Sequence, residues 1–151
     1  MPSELSPRLA AIVDALPLTP AARLLEIGCG PGAAARAVAA RLVSGHIVAV
    51  DRSARTVSQA EAGSAREIAS GRMSVRCVAA ESFVPEPGEG PFDLVFAVRV
   101  GALDGRHPEA GRQVLERVAA ALAPGGRLFV DGGDPLREIS VPPGPPAEPG
   151  G

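Results

Sequence analysis

A chain of 151 residues with a 46% apolar fraction and 21% charged side chains has the size and composition of one globular domain. Its formal net charge of −2 weighs against a nucleic-acid binder, which would carry a basic face, and no stretch approaches the ~20 apolar residues of a membrane helix. Two cysteines, Cys29 and Cys77, are too few for a disulfide framework or a zinc site, so both are expected as reduced thiols.

The amino-terminal "MPSELSPRLAAIVDALPL" has no basic stretch ahead of its apolar residues. That argues against a secretory signal, and a cytoplasmic protein is the expectation. Every basic residue is Arg, and Lys, Asn, Tyr and Trp are missing. Together with abundant Ala, Gly and Pro, this is the pattern of GC-rich coding, so the missing types are not read as functional choices.

In chain order, Pro7 to Leu16 reads as a helix. Leu9, Ile12, Val13 and Leu16 recur at spacings of three and four, with Ser6 as N-cap and Pro7 at the first helical position. Arg23 to Ile27 is a short apolar strand, Gly28 to Gly32 a turn, and Ala33 to Val43 an Ala-rich helix ended by Ser44-Gly45. "HIVAVD" is a second strand ending in Asp51. Ser53 caps a helix reaching about Ala69 and weakened by Gly63. "MSVRCVA" is a third strand, "PEPGEGP" a loop and "FDLVFAV" a fourth strand. Residues 108–122 form a helix with Val114, Leu115, Val118 and Leu122 on its apolar side. "PGG" turns into "RLFVD", a fifth strand.

Short apolar strands alternating with helices predict an α/β three-layer domain with a mostly parallel sheet covered on both faces. The domain is expected over residues 1–133. Residues 134–151, ending in "VPPGPPAEPGG", read as a Pro/Gly-rich tail, extended or disordered.

"LLEIGCGPG", Leu24 to Gly32, is the segment that carries chemistry. On this architecture ligands bind at the C-terminal ends of the strands, where strand order reverses. Glycines let the backbone turn sharply there and let a ligand approach it, and the following helix presents free N–H groups. Gly28, Gly30 and Ala33 satisfy the dinucleotide pattern G-x-G-x-x-G/A, and Gly28, Gly30 and Gly32 satisfy the tighter G-x-G-x-G. Glu26 tilts the balance. A carboxylate two residues ahead of the first glycine would oppose a pyrophosphate, yet it suits a ligand bearing an ammonium and a sulfonium.

With these residues in place the sequence resembles the class I, seven-strand, Rossmann-like S-adenosylmethionine-dependent methyltransferases. "LLEIGCGPG" matches their first motif and "IVAVDRS" their second, with Asp51 in the acidic position. "PFDLVFA" resembles their fourth-strand motif, and "LERVAAALAPGGRLFV" their helix-to-strand corner. The resemblance spans roughly residues 8–132 and implies a strand order 3-2-1-4-5.

It also implies S-adenosyl-L-methionine as cofactor, held by Glu26, Gly28, Cys29, Gly30, Gly32, Asp51, Arg52, Ala80, Glu81 and Ala97. Glu26 would face the methionine end, the glycine backbone would cradle methionine and ribose, and Asp51 would accept from both ribose hydroxyls. The Ala97 carbonyl would pass near the methionine amino group. At the adenine end the chain departs from the family. Many members carry Asp where "VAAESF" places Ala79, so Glu81 takes over or adenine is held by backbone and apolar contacts, with Phe83 and the Arg52 stem against its faces.

The resemblance implies methyl transfer to a small-molecule acceptor, since "FAVRVGAL" lacks the Asn/Asp-Pro-Pro-Tyr of adenine and Gln methylation. Transfer from a sulfonium needs chiefly alignment within about 3–3.5 Å and exclusion of water. His107, Asp104 and Arg99 are the base candidates, and no catalytic side chain is assigned. The family usually adds a hairpin after the fifth strand, which the sequence does not suggest. "RLFVD" would then be a bare edge, covered by the tail or by a partner in a homodimer. A non-catalytic cofactor- or partner-binding domain is the alternative. Nicotinamide-dependent oxidoreduction is disfavoured, for want of a second domain and a hydride-transfer site.

Overall fold

The structure, a computed structural model, describes residues 5–103 and 106–141. Asp104 and most of the Pro/Gly-rich tail lie outside the described residues. Helix α1, Pro7–Ala15, starts on the Ser6 hydroxyl, which accepts from the Leu9 N–H. It is followed by β1 (Arg23–Ile27), α2 (Ala33–Ala39), β2 (His46–Asp51), α3 (Ala54–Gly63), α4 (Ala65–Ala69) and β3 (Met73–Cys77). A single 3-10 turn, Ala80–Ser82, leads to β4 (Phe92–Ala97), and a second, Gly101–Leu103, to α5 (Pro108–Ala121), β5 (Leu122–Asp131) and β6 (Leu136–Ile139).

The single helix expected from Ser53 to about Ala69 is two. Ser64, φ −120° and ψ 24°, breaks it immediately after Gly63. Its fully buried hydroxyl accepts from Arg36 at 3.1 Å, a tertiary bond that fixes the kink.

One six-stranded sheet carries the fold, in the order β3-β2-β1-β4-β5-β6. The first five strands are parallel and β6 runs antiparallel to β5. Alternation along each strand separates two cores. Leu24, Ile47, Ala49 and Phe96 face α1 and α2, where Val13, Leu16, Ala35 and Val38 meet them. Leu25, Val48, Val50, Val95, Leu128 and Val130 face α5 through Val114 and Val118. Burying apolar side chains on both sides is what a central parallel sheet requires.

The expectation of five strands is corrected to six. Leu136–Ile139, inside the segment read as a tail, pairs Ile139 with Leu128 and Leu136 with Asp131. The sequence signal was faint because only Leu136 and Ile139 of "LREI" are apolar. Pairing to β5 supplies the backbone hydrogen bonds that the local sequence does not advertise. The edge of β5 is therefore already occupied within the chain, and a homodimer through that edge has no free strand to pair with. The new outer strand is four residues long and carries Arg137 and Glu138, a short charged edge of the kind that resists further pairing. Ahead of it, the "PGG" turn survives as a bulge: Phe92 pairs with Leu122 but Leu94 with Arg127.

Candidate functional site at the carboxyl ends of the strands

The glycine turn leaves β1 at the centre of the sheet, between β2 and β4. Gly28, Gly30 and Gly32 all have positive φ, where a side chain is strained. At Gly28 a Cβ would also lie 2.9 Å from a Val100 methyl. Gly32, φ 90°, is the N-cap of α2. The Cys29 N–H donates to the Val50 carbonyl at 3.0 Å, and Arg36 donates to the Pro31 carbonyl at 2.8 Å. The turn is thus pinned to β2 on one side and, through Arg36 and Ser64, to the α3–α4 junction on the other.

Two carboxylates flank it. Asp51, at the end of β2, accepts from the Gly30 N–H at 3.1 Å and the Ser53 N–H at 3.0 Å. These bonds fix its rotamer, and each oxygen keeps a second lone pair for a ligand. Glu26 is 3% exposed, and its Oε1 has no hydrogen-bond partner among the described residues. Burial, and then the charge of Asp51, push its carboxyl up to about 8. A buried acid with an unused oxygen is a site prepared for a cationic or donor group.

A cleft of about 490 Å³ opens over this turn. Of the residues singled out in the sequence, Gly28, Asp51, Arg52, Ala80 and Glu81 line it. Gly30 and Gly32 lie along the turn behind, and Glu26 is enclosed beneath. Cys29 turns away: its side chain packs in the core on the α2 face. Burial first, then Glu26 and Asp51, push its thiol up to about 12, which leaves it inert as a nucleophile. Ala97 is buried at the end of β4 and borders a different cavity.

The adenine-end expectation is corrected for Phe83. It is 2% exposed and packs on Phe92 at 6.1 Å, beneath the Arg76 guanidinium, so it belongs to the core. Ile27, Val50, Val78 and Ala80 supply the apolar wall instead. Glu81 is paired with Arg52 at 3.0 Å across the rim, with Arg52 74% exposed.

Sequence reasoning passed over Val78, Val100, Gly101 and Ala110 in the cleft. Arg99 and His107, weighed only as bases, line it as well. Arg99 is the one non-glycine residue with positive φ among the described residues, at 57°. Its N–H donates to Asp131 Oδ1 at 3.0 Å, while Asp131 Oδ2 accepts from Arg8 at 2.7 Å. A strained residue held by a tertiary hydrogen bond marks a functional segment.

A doubly wound parallel sheet, a glycine turn at the point where strand order reverses, and an acidic residue closing the second strand define a Rossmann-like nucleotide-binding domain. Residues 24–126 match a family described as a methyltransferase domain. The chain belongs to the class I S-adenosylmethionine-dependent methyltransferase family.

It is 33% identical over 125 residues to a trans-aconitate 2-methyltransferase of Paracidovorax citrulli (strain AAC00-1), covering 83% of this chain and 44% of that protein. It is 36% identical over 127 residues to a protein-L-isoaspartate O-methyltransferase of Methylorubrum populi (strain ATCC BAA-705 / NCIMB 13946 / BJ001), covering 84% and 52%. The chain thus spans about half the length of the curated relatives it matches. Among solved structures, the cyclase SpnF superposes with a TM-score of 0.66 at 27% identity, over 81% of this chain and 42% of that one. A methyltransferase from Geobacter sulfurreducens in complex with S-adenosyl-L-homocysteine superposes with a TM-score of 0.65 at 21% identity, over 86% and 49%.

Proposed function

We propose that this domain binds S-adenosyl-L-methionine and transfers its methyl group to a small-molecule acceptor. The observation that carries the reading is the pair of carboxylates around the glycine turn: Asp51 with its orientation fixed and Glu26 buried with an unused oxygen. Asp51 would hold the vicinal ribose hydroxyls, since a bidentate carboxylate matches a diol. Glu26 would face the ammonium of the methionine end, which stabilises its ionised form. The backbone of Gly28 to Gly32 would cradle the chain between them, with Val50, Val78 and Ala80 along the adenine.

When bound, the cofactor supplies a methyl group already activated on a sulfonium. The chain's own task is then to align an acceptor and keep water out. His107 is the only imidazole lining the cleft among the described residues, and it would take the proton of an acceptor that arrives protonated. The relatives named for trans-aconitate support a small-molecule acceptor. A second reading, cofactor binding without methyl transfer, is favoured by the likeness to a structure titled as a cyclase. A cytoplasmic location is part of the proposal, supported by two free thiols. No helix among the described residues is long and apolar enough to cross a membrane.

Calorimetric titration with S-adenosylmethionine, S-adenosylhomocysteine and NAD tests the reading. The two sulfur nucleosides are expected to bind and NAD to fail, with Asp51→Ala weakening binding by ~10-fold or more. Binding of NAD alone would overturn it. Turnover of labelled methyl groups separates transfer from binding.

A further inference from the structure

Beside the cofactor cleft lies a second cavity of about 590 Å³, between the carboxyl ends of β4 and β5 and the start of β6. Its floor is apolar: Ala97, Leu103 and Val130 are all buried. Its rim is cationic, since Arg99, Arg106 and Arg137 line it from three separate parts of the chain. Sheet register accounts for Arg137, which stands opposite Val130 across the β5–β6 pairing. The lining holds one carboxylate, Asp131, and its charge is already engaged by Arg8 and by the Arg99 N–H. Arg99 and Val100 line both this cavity and the cofactor cleft, so the strained segment after β4 is the partition between the two.

We infer that this cavity is the acceptor subsite and that it selects a small acid bearing two or more carboxylates. The inference rests on the proposed methyl-transfer reading and extends it to a substrate class. Three guanidiniums around an apolar floor match carboxylates by forked, charge-assisted hydrogen bonds, and the floor takes the short carbon skeleton between them. A neutral acceptor of the same size would leave the guanidiniums without counter-charge. The choice of nucleophile fits the lining too. A carboxylate oxygen arrives without a proton at neutral pH, and among the described residues this cavity presents neither a histidine nor an unengaged carboxylate to serve as base.

The test is calorimetric titration of the whole chain with citrate, succinate, inorganic phosphate and neutral trimethyl citrate, in the presence and absence of S-adenosylhomocysteine. Citrate is expected to bind, succinate more weakly, and the neutral ester not at all. Added sodium chloride should weaken citrate binding. Arg137→Gln and Arg106→Gln should each reduce citrate affinity by about 10-fold or more while leaving S-adenosylhomocysteine affinity and the melting temperature unchanged. Either variant alone is sufficient should the other fail to fold. Failure of both carboxylates to bind, equal binding by wild type and variants, or phosphate binding as tight as citrate would each overturn the inference. In all three cases intact S-adenosylhomocysteine binding would leave the cofactor reading standing.

Discussion

The two halves of the sheet's carboxyl edge are built on different principles. On the β1–β2–β3 side the ligand surface is backbone: a glycine turn with positive φ, pinned to β2, with Asp51 held by two N–H groups. On the β4–β5–β6 side it is side chain: Arg99, Arg106 and Arg137 converge from residues far apart in sequence. The first half is a fixed cradle for a constant ligand. The second is a rim whose charge can be rewritten one residue at a time without touching the turn. The same division explains how one fold serves many acceptors.

Four substitutions probe that division, and the largest effect is expected at Glu26. Its carboxyl is raised from 4.5 to about 8 by burial and by Asp51, so the folded state holds a proton that the unfolded chain releases. This contribution to stability is complete below about pH 4.5 and is lost as pH rises towards 8. Glu26→Gln removes the cost of keeping a carboxylic acid neutral. At pH 7 it is expected to stabilise the cofactor-free protein by up to about 3 kcal/mol and to flatten the pH dependence. Cofactor affinity should fall at the same time, a trade of function for stability. Denaturant melts across pH 4–8 check this, and an unchanged pH profile would contradict it.

Asp51→Ala comes next, with ~10-fold or greater loss of S-adenosylhomocysteine affinity and no change in citrate affinity. Arg137→Gln should give the mirror image, with citrate weakened about 10-fold and the nucleoside untouched. Coupled losses in both ligands for either variant would show that the two halves are not separable. The smallest effect is expected from Arg52→Ala. Its pair with Glu81 is highly exposed, and such surface pairs are worth about 0–1 kcal/mol. A change in cofactor affinity beyond about 5-fold, read by titration, would give the rim pair a larger part at the adenine end than its exposure supports.

How much was legible in the sequence follows the same line. The glycine turn, Asp51 and the alternation of strands and helices are local patterns, because backbone conformation and sheet burial are written in neighbouring residues. The split of the helix at Ser64 was not legible, since a hydroxyl–guanidinium bond to Arg36, 28 positions away, fixes it. Phe83 was misplaced because an aromatic beside a pocket motif can face either way, and only packing on Phe92 decides. β6 was missed because four residues with two charges carry no strand signal until β5 pairs with them. With β6 went Arg137, and with Arg137 the cationic character of the second cavity.

The central claim is that a nucleoside amino acid lies across the glycine turn between Glu26 and Asp51. The most direct measurement is a crystal structure with S-adenosylhomocysteine bound. The account predicts the ribose hydroxyls on Asp51, the homocysteine amino group on the Glu26 side of the turn, and the adenine against Val50, Val78 and Ala80. A nucleoside seated elsewhere on the sheet edge, or one that leaves Asp51 without a contact, would contradict it.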